Sequence, residues 1–339
     1  MELKYTLLDV MNKITPKDKY KDIQSRWNTF LLENNKVRIR DAAAQLGTSE
    51  ASLLSTEISE STSFLNIDNY ENFLAEVLSM DKIMLLIRND SVVHEKTIST
   101  KDIRLKENKI IDINSNDLIL EFNPNLFKYV FSQNKVHAKK SLRSFQIFDG
   151  CGNAVLKIYL KGRDKSKFDR IVNQYKTDYN YELQNKSIYK QLKSNKNEEK
   201  NIHLIKNLKE TRTYDYELKD EILRKMLTLA SKTKIPIQIY AIGPGTIQYH
   251  RNTVNKIIDF GPWINVIDKT FNLHAIENDL IRTKLDQYNT GNQNFYSIKF
   301  YDKNDNHILG LSYVNGFNEQ FNEIISQIFK LKTKQELIQ

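Results

Sequence analysis

The sequence predicts an α+β fold made by internal duplication: two repeats, each with helices followed by a large antiparallel β-sheet. Three observations predict it. SIKFYDKNDNHILGLS near the C-terminus matches SFQIFDGCGNAVLKIY at a constant offset of 153, pairing Ser144 with Ser297, Phe148 with Tyr301, Asp149 with Asp302, Asn153 with Asn306, Leu156 with Leu309 and Ile158 with Leu311. The same offset sets the LILEF of DLILEF against the FNLHA of FNLHAI, and the helix NFLAEVLSM recurs in spacing as EILRKMLTL. The strand-like runs are joined by short polar turns, which marks hairpins, and helices precede them in each half. The repeat is far longer than a solenoid period of roughly 20–50 residues.

Residues 20–34 place Ile23, Trp27, Phe30 and Leu31 at helical spacing. Residues 38–55, RIRDAAAQLGTSEASLLS, read as two short helices around a turn at Leu46-Gly47-Thr48, with an apolar seam of Ala42, Ala43, Leu46, Ala51 and Leu54. A helix over 69–80 buries Phe73, Leu74, Val77 and Leu78. KIMLLIRNDSVVHE then gives strand, polar turn and strand, and further strands follow at 117–122, 143–148 and 154–160. The Asp149–Asn153 stretch is a hairpin turn. A helix near Phe168, Ile171 and Tyr175 leads into a polar segment whose part from about 185 to 201 reads as a solvated linker. The pattern then restarts, with Ile235, Ile237 and Ile239 alternating as Ile83, Leu85 and Ile87 do, but without a counterpart of the helical pair at 38–55. The expected organisation is repeat 1 over 1–165, a linker over 166–205 and repeat 2 over 206–339.

Composition narrows the function. Of 339 residues 40% are apolar, enough for a sizeable core, and no run approaches the ~18 residues that span a bilayer. The N-terminus, MELKYTLLDVMNKITPKDKY, does not read as a signal peptide, so the expected location is the cytoplasm without membrane insertion. One cysteine, Cys151, excludes a disulfide framework and a cysteine-based zinc site. The net charge of +9 favours polyanions but is diffuse. The second short helix, TSEASLLST, is acidic and small and offers nothing for bidentate contact with base edges, so specific DNA binding is not expected of it.

Six histidines are the remaining candidates, since imidazole ligates iron and carries protons near neutral pH. His94 opens a strand in SVVHE, His274 lies inside one in TFNLHAI, and His203 follows the linker in NIHLIKNLK. His137, His250 and His307 read as polar or turn residues. No HExxH or HxH pattern supports zinc hydrolysis. GPGT at 243–246 and GCGN at 150–153 are turns, and no GxSxG elbow exists. Tyrosines (17) and phenylalanines (16) are spread over the strands, where they pack the core or line a pocket for a flat apolar ligand.

RIRDAAAQLGTSEASLL, IRNDSVVHEK, RSFQIFDGCGNAVLKIY and GTIQYHRNTVNKIIDFGPWINVIDKTFNLHAIE stand in the order found in cytoplasmic haemin-degrading or haem-carrier proteins of the HemS/ChuX type, and the chain resembles that family. The resemblance implies haem held between a sheet surface and helices. It also implies a role as haem carrier or degrading factor, partners such as a haem importer or haem oxygenase, and in some members a homodimer. His94 resembles a histidine proposed to touch haem. The family's axial histidine maps onto His203 or, ungapped, onto Arg212, a distal or propionate contact; His203 is the first expected iron ligand, followed by His94 and His274. Glu121 stands where the family has an arginine, Tyr288 where it has a propionate-binding lysine, and SYVNGF lacks the family's last arginine. The alternatives are a relative that serves as a scaffold for another hydrophobic ligand or partner, and a nucleic-acid-associated regulator.

Overall fold

Thr15 starts the first helix by a capping box: its hydroxyl accepts from the Asp18 amide at 3.2 Å, its own amide donates to the Asp18 carboxylate at 3.0 Å, and Pro16 takes the first helical position. The computed structural model describes residues 15–34, 37–137, 140–179, 210–217, 221–290 and 293–329. The helices are α1 (Pro16–Glu33), α2 (Ile39–Gln45), α3 (Glu50–Ser55), α4 (Tyr70–Leu78), α5 (Lys165–Tyr175), α6 (Ile222–Thr233) and α7 (Asn318–Phe329). In the first half the strands are β1 (Thr62–Leu65), β2 (Lys82–Arg88), β3 (Val92–Ser99), β4 (Ile103–Lys106), β5 (Lys109–Asp112), β6 (Leu118–Phe122), β7 (Tyr129–His137), β8 (Lys140–Phe148) and β9 (Ala154–Leu160). In the second they are β10 (Glu210–Glu217), β11 (Ile237–Gly243), β12 (Thr246–Asn252), β13 (Ile257–Phe260), β14 (Trp263–Ile267), β15 (Phe271–Ile276), β16 (Arg282–Thr290), β17 (Gln293–Tyr301) and β18 (His307–Tyr313). None of these helices is long and apolar enough to cross a membrane.

Spatially the chain divides into two compact units, one of residues 1–68, 125–154 and 166–191, the other of 69–124, 155–165 and 192–339. In the first unit, β1, β7 and β8 are antiparallel neighbours. The helical pair is present as read from the sequence. Gly47 at φ +63° makes its turn, and Ser49 caps α3 by accepting from the Ser52 amide at 3.1 Å. Its seam splits into two cores: Ala42, Ala43 and Leu53 close on Trp27, while Ala51 and Leu54 of α3 sit on Tyr129, Phe131, Phe148 and Ala154. On α5, Phe168 packs on Phe145 with ring centroids 4.5 Å apart.

The second unit carries the order β9-β2-β3-β15-β14-β13 and the order β10-β16-β17-β18-β11-β12-β6-β5-β4. β2 and β11 bury Ile83, Leu85 and Ile237, Ile239 completely. Each such burial contributes about 2 kcal/mol. The three-strand meanders are exchanged between repeats. β15 of the second half pairs with β3 of the first, Phe271 opposite Lys96, and β6 of the first pairs with β12 of the second, Leu118 opposite His250.

The duplication extends to individual hydrogen bonds. The Asp149 carboxylate accepts from the amides of Cys151 and Asn153, each at 2.8 Å, and from the Asn153 side chain at 3.1 Å. Asp302 accepts from the amides of Asn304 and Asn306, each at 2.9 Å, and from the Asn306 side chain at 3.0 Å. In both turns one aspartate caps the loop amides, beside the backbone bonds from the Asp149 amide to the Asn153 carbonyl at 2.9 Å and from the Asp302 amide to the Asn306 carbonyl at 3.0 Å.

Candidate functional site

Strand alternation assigns the side chains of the second sheet to faces. On one face lie Arg282, Lys284, Asp286 and Tyr288 from β16, Ser297, Lys299 and Tyr301 from β17, Tyr240 from β11, Tyr249 from β12 and Ile119 and Glu121 from β6. Its middle is an apolar aromatic cluster of Ile119, Tyr240, Ile242, Ile247 and Tyr249, with the two tyrosine rings 5.5 Å apart. Tyr240 crosses β18 at Gly310, where an added Cβ would collide with its ring. One end of this face is cationic. The Arg282 guanidinium lies 4.8 Å and the Lys284 ammonium 5.3 Å from the Tyr301 ring centroid. Lys299 holds the buried Asp286 at 2.6 Å, and Arg282 also pairs with Asp305. His307 stacks on Tyr301 at 5.3 Å, and burial, with Lys299 and Lys284 adding to it, pulls its pKa down to about 3. At the other end a cavity of about 250 Å³ is lined by Asn108, Glu121, Phe122, Asn123, Thr246 and Ile247. Glu121 pairs there with Lys109 at 3.2 Å.

A second polar cluster lies inside the second unit, where the hairpins β2–β3 and β11–β12 correspond at an offset of 154, Asn89 to Gly243 and Val92 to Thr246. His94 therefore corresponds to Gln248 and Lys96 to His250, and each residue touches its own counterpart. Gln248 Nε2 donates to His94 Nδ1 at 2.8 Å, and Lys96 Nζ donates to His250 Nδ1 at 3.0 Å and to Asp117 Oδ1 at 2.5 Å. His250 stacks on Phe271 at 3.8 Å. Burial lowers the pKa of both histidines, with Lys96 adding to it. Burial also lowers Lys96 itself, against the opposing pull of Asp117. For Asp117, burial acts upward but is outweighed by His250 and Lys96, so its carboxyl stays well below the usual range.

The expected site residues are placed as follows. His203 lies outside the described residues, as does the expected linker at 185–201. Arg212 is on β10 opposite Gln287, next to the Glu210–Tyr288 pair, so its strand borders the face just described. Tyr288 is buried on β16, its hydroxyl donating to Asp286 at 3.4 Å. Glu121 lines the cavity. His94 is fully enclosed, and His274 is half-buried on β15 with its Nδ1 2.6 Å from Asn265 Oδ1. His94 pairs with Leu273 and His274 with Val93, so the two histidines occupy opposite faces of adjacent strands and do not converge on one ligand. His250 and His307, read from sequence as polar or turn residues, are instead 2% exposed strand residues. The reading failed because flanking Tyr, Arg and Asp residues mask a strand whose other neighbours are core. Arg282, Lys284 and Lys299 were not singled out from sequence, and Tyr301 appeared only as the repeat partner of Phe148. Extending the 153 offset back from Tyr301 to 282 would have exposed them, because their counterparts are Tyr129, Phe131, Gln146 and Phe148.

The model of the haemin-degrading HemS/ChuX domain matches residues 47–175 and 205–326, one segment in each half. This chain belongs to that family. Among curated relatives of the family, the chain is 22% identical to the hemin transport protein HemS of Yersinia enterocolitica over 282 residues, 76% of this chain and 81% of that protein. It is 23% identical to HmuS, the hemin transport protein of Yersinia pestis, over 70% of this chain and 76% of that protein. Among solved structures, the fold is shared with the heme degrading enzyme ChuS of Escherichia coli O157:H7 (TM-score 0.76, 19% identity, 91% of this chain and 99% of that one). It is shared equally with holo-PhuS, a heme-binding protein of Pseudomonas aeruginosa (TM-score 0.74, 19% identity, 91% and 98%).

Proposed function

We propose that this chain binds haem and serves in haem utilisation as a cytoplasmic carrier or degrading factor. The observation that carries the reading is the amphipathic face of the second sheet: a buried apolar cluster of isoleucines and two tyrosines, their rings inclined at 38°, ending in a group of cations, within a chain whose two halves both match the haemin-degrading domain. Porphyrin has the same two-part chemistry, a flat apolar ring with two carboxylate arms. Tyr240, Tyr249 and the isoleucines around them would bury the ring, and the cations would meet the arms. The cavity at Glu121 is below the roughly 300–1,000 Å³ of small-molecule sites, so a porphyrin needs the cover of this face to shift. Bound haem would supply the redox and oxygen chemistry of degradation. The protein's part is to bind, orient and shield it.

His203 is the first candidate for the iron, and Arg212, on the strand bordering the face, is a contact to the opposite haem side or a propionate. His94 is a weaker candidate, because its ring is locked by Gln248 in an enclosed core. His274 stays a candidate for a ligand on the outer side of β15. A haem importer and a haem oxygenase fit a carrier as donor and acceptor, and a homodimer would follow the habit of some relatives.

Titration with haemin, followed by visible absorption, tests this. Saturation near one haem per chain is expected, with the sharp Soret shift lost in His203→Ala and retained in His94→Ala and His274→Ala. A weak shift that no histidine substitution alters would instead favour a relative that binds a different hydrophobic ligand.

A further inference from the structure

The two sheets of the second unit end in matching hairpins with different surfaces. β4–β5 and β13–β14 share one register at an offset of 154: Ile103 pairs with Asp112 as Ile257 does with Val266, and Lys106 with Lys109 as Phe260 does with Trp263. β4 and β13 are the last strands in their sheet orders. On β4, Arg104 and Lys106 are exposed. The same positions on β13 hold Ile258 and Phe260, 41% and 80% exposed. Charges along an edge strand keep it from joining another chain, and the β13 edge lacks them at these two positions. Asp259 lies on the opposite face, where Arg224 of α6 holds its carboxylate at 2.9 Å.

The backbone of β13 has an open side. A two-residue turn closes the Phe260–Trp263 pair, and the Ile267 amide donates to the Lys256 carbonyl at 2.8 Å. Lys256, Ile258 and Phe260 therefore direct their amides and carbonyls at β14, and Ile257 and Asp259 direct theirs away from it, where no further strand follows in the order. Two copies of this edge are complementary. With antiparallel β13 strands meeting at Ile258, Ile257 of each copy exchanges both backbone bonds with Asp259 of the other. Ile258 then faces Ile258, and the exposed Lys256 of each copy lies across the Phe260 ring of the other, a cation on an aromatic face. The two-fold axis keeps like faces of the two sheets on the same side and closes the contact, leaving no edge for a third chain.

We propose that β13 is a dimer edge, at which two copies of this chain join antiparallel strands about a two-fold axis at Ile258. Strands this short bury less than the roughly 1,200–2,000 Å² of a standard interface, so the dimer forms in the micromolar range, with Kd on the order of 10 µM. The contact uses neither the tyrosine cluster nor the cations of the other sheet, so it stands or falls separately from haem binding.

Sedimentation equilibrium of the full chain, from about 1 to about 200 µM, tests the edge. A monomer–dimer equilibrium is expected for the wild-type chain. Ile258→Arg with Phe260→Lys, which copies the side chains of β4, should weaken it at least about tenfold while urea unfolding shows the variant folded. The register is tested in a Cys151→Ser background. Ile258→Cys places two thiols across a pair about 4.5 Å apart at Cα and should give an oxidised dimer, whereas Lys256→Cys should not. A wild-type chain that stays monomeric, or a dimer unaffected by the Ile258 and Phe260 substitutions, overturns the proposal, and the first result leaves the edge to a strand of another protein. Equal cross-linking through Ile258→Cys and Lys256→Cys, or none through Ile258→Cys, overturns the two-fold at Ile258.

Discussion

The two repeats place matching strands under different side chains. On β2 and β3, Leu86, Glu95, Val93 and Arg88 stand where β11 and β12 carry Tyr240, Tyr249, Ile247 and Ile242. Asn272 donates to Glu95 at 3.1 Å where Ile119 packs against Tyr249, and Lys157 stands where Gly310 makes room for Tyr240. One copy of the face is therefore polar and the other aromatic. At the outer strands the contrast reverses: the first copy is apolar under a helix and the second is charged. Duplication fixed the backbone, and divergence then split the tasks. One copy seats α3 on apolar rings, and the other sets Arg282 and Lys284 against Tyr301.

The largest expected effect comes from forcing one copy to imitate the other. Phe131→Lys buries an unpaired ammonium under α3 and removes a core ring, which should cost about 3–5 kcal/mol in urea unfolding. Lys284→Phe, at a partly exposed position, should change stability by less than about 1 kcal/mol. Similar costs for the two would mean that the faces are not functionally different.

A smaller effect tests Asp286 and Lys299, which stand at the 153 offset from Gln133 and Gln146. Lys299→Gln alone leaves the Asp286 carboxylate buried without its cation, a loss of about 3 kcal/mol. The double change Asp286→Gln, Lys299→Gln recreates the Gln133–Gln146 pair and should return stability to within about 1 kcal/mol of the parent. A double variant as unstable as the sum of its parts would show that the copies have diverged beyond these two side chains.

The effect that is smallest at neutral pH concerns protons. His307 has a folded pKa of about 3 against an ordinary 6.5, so its ring is neutral when folded. The stability it contributes is fully present above pH 6.5 and is lost as pH falls from there toward about 3. His94 and His250 act in the same direction. Thermal midpoints should therefore drop on acidification through this window, and His307→Phe should make the slope shallower. An unchanged slope would remove His307 from the account.

Much of this was legible in the sequence. The 153 offset, the Asp–Asn turns and the helical spacing around Trp27 and Phe73 gave the duplication and most elements, because hydrophobic period and turn chemistry are local. The exchange of meanders was not legible, since β6 and β15 each carry the same pattern whichever partner they choose. Lys96 was missed as a core residue because its partners, Asp117 and His250, are 21 and 154 residues away. The candidate site was half legible: Glu121 and Tyr288 stood out as departures from a family pattern, while Arg282 and Lys284 carry no motif and gain meaning only beside Tyr129 and Phe131.

The exchanged meanders also set an order of events in synthesis. β3 pairs with β2 at once but meets its second neighbour only when residues 271–276 have been made, although β3 itself ends at Ser99. β6, finished by residue 122, waits for residues 246–252. Neither sheet of the second unit can close while the ribosome is still in the first half of the message, so for most of translation the nascent chain carries open strand edges. A duplication joined in this way cannot shed either half, because each half completes the other's hydrogen bonds.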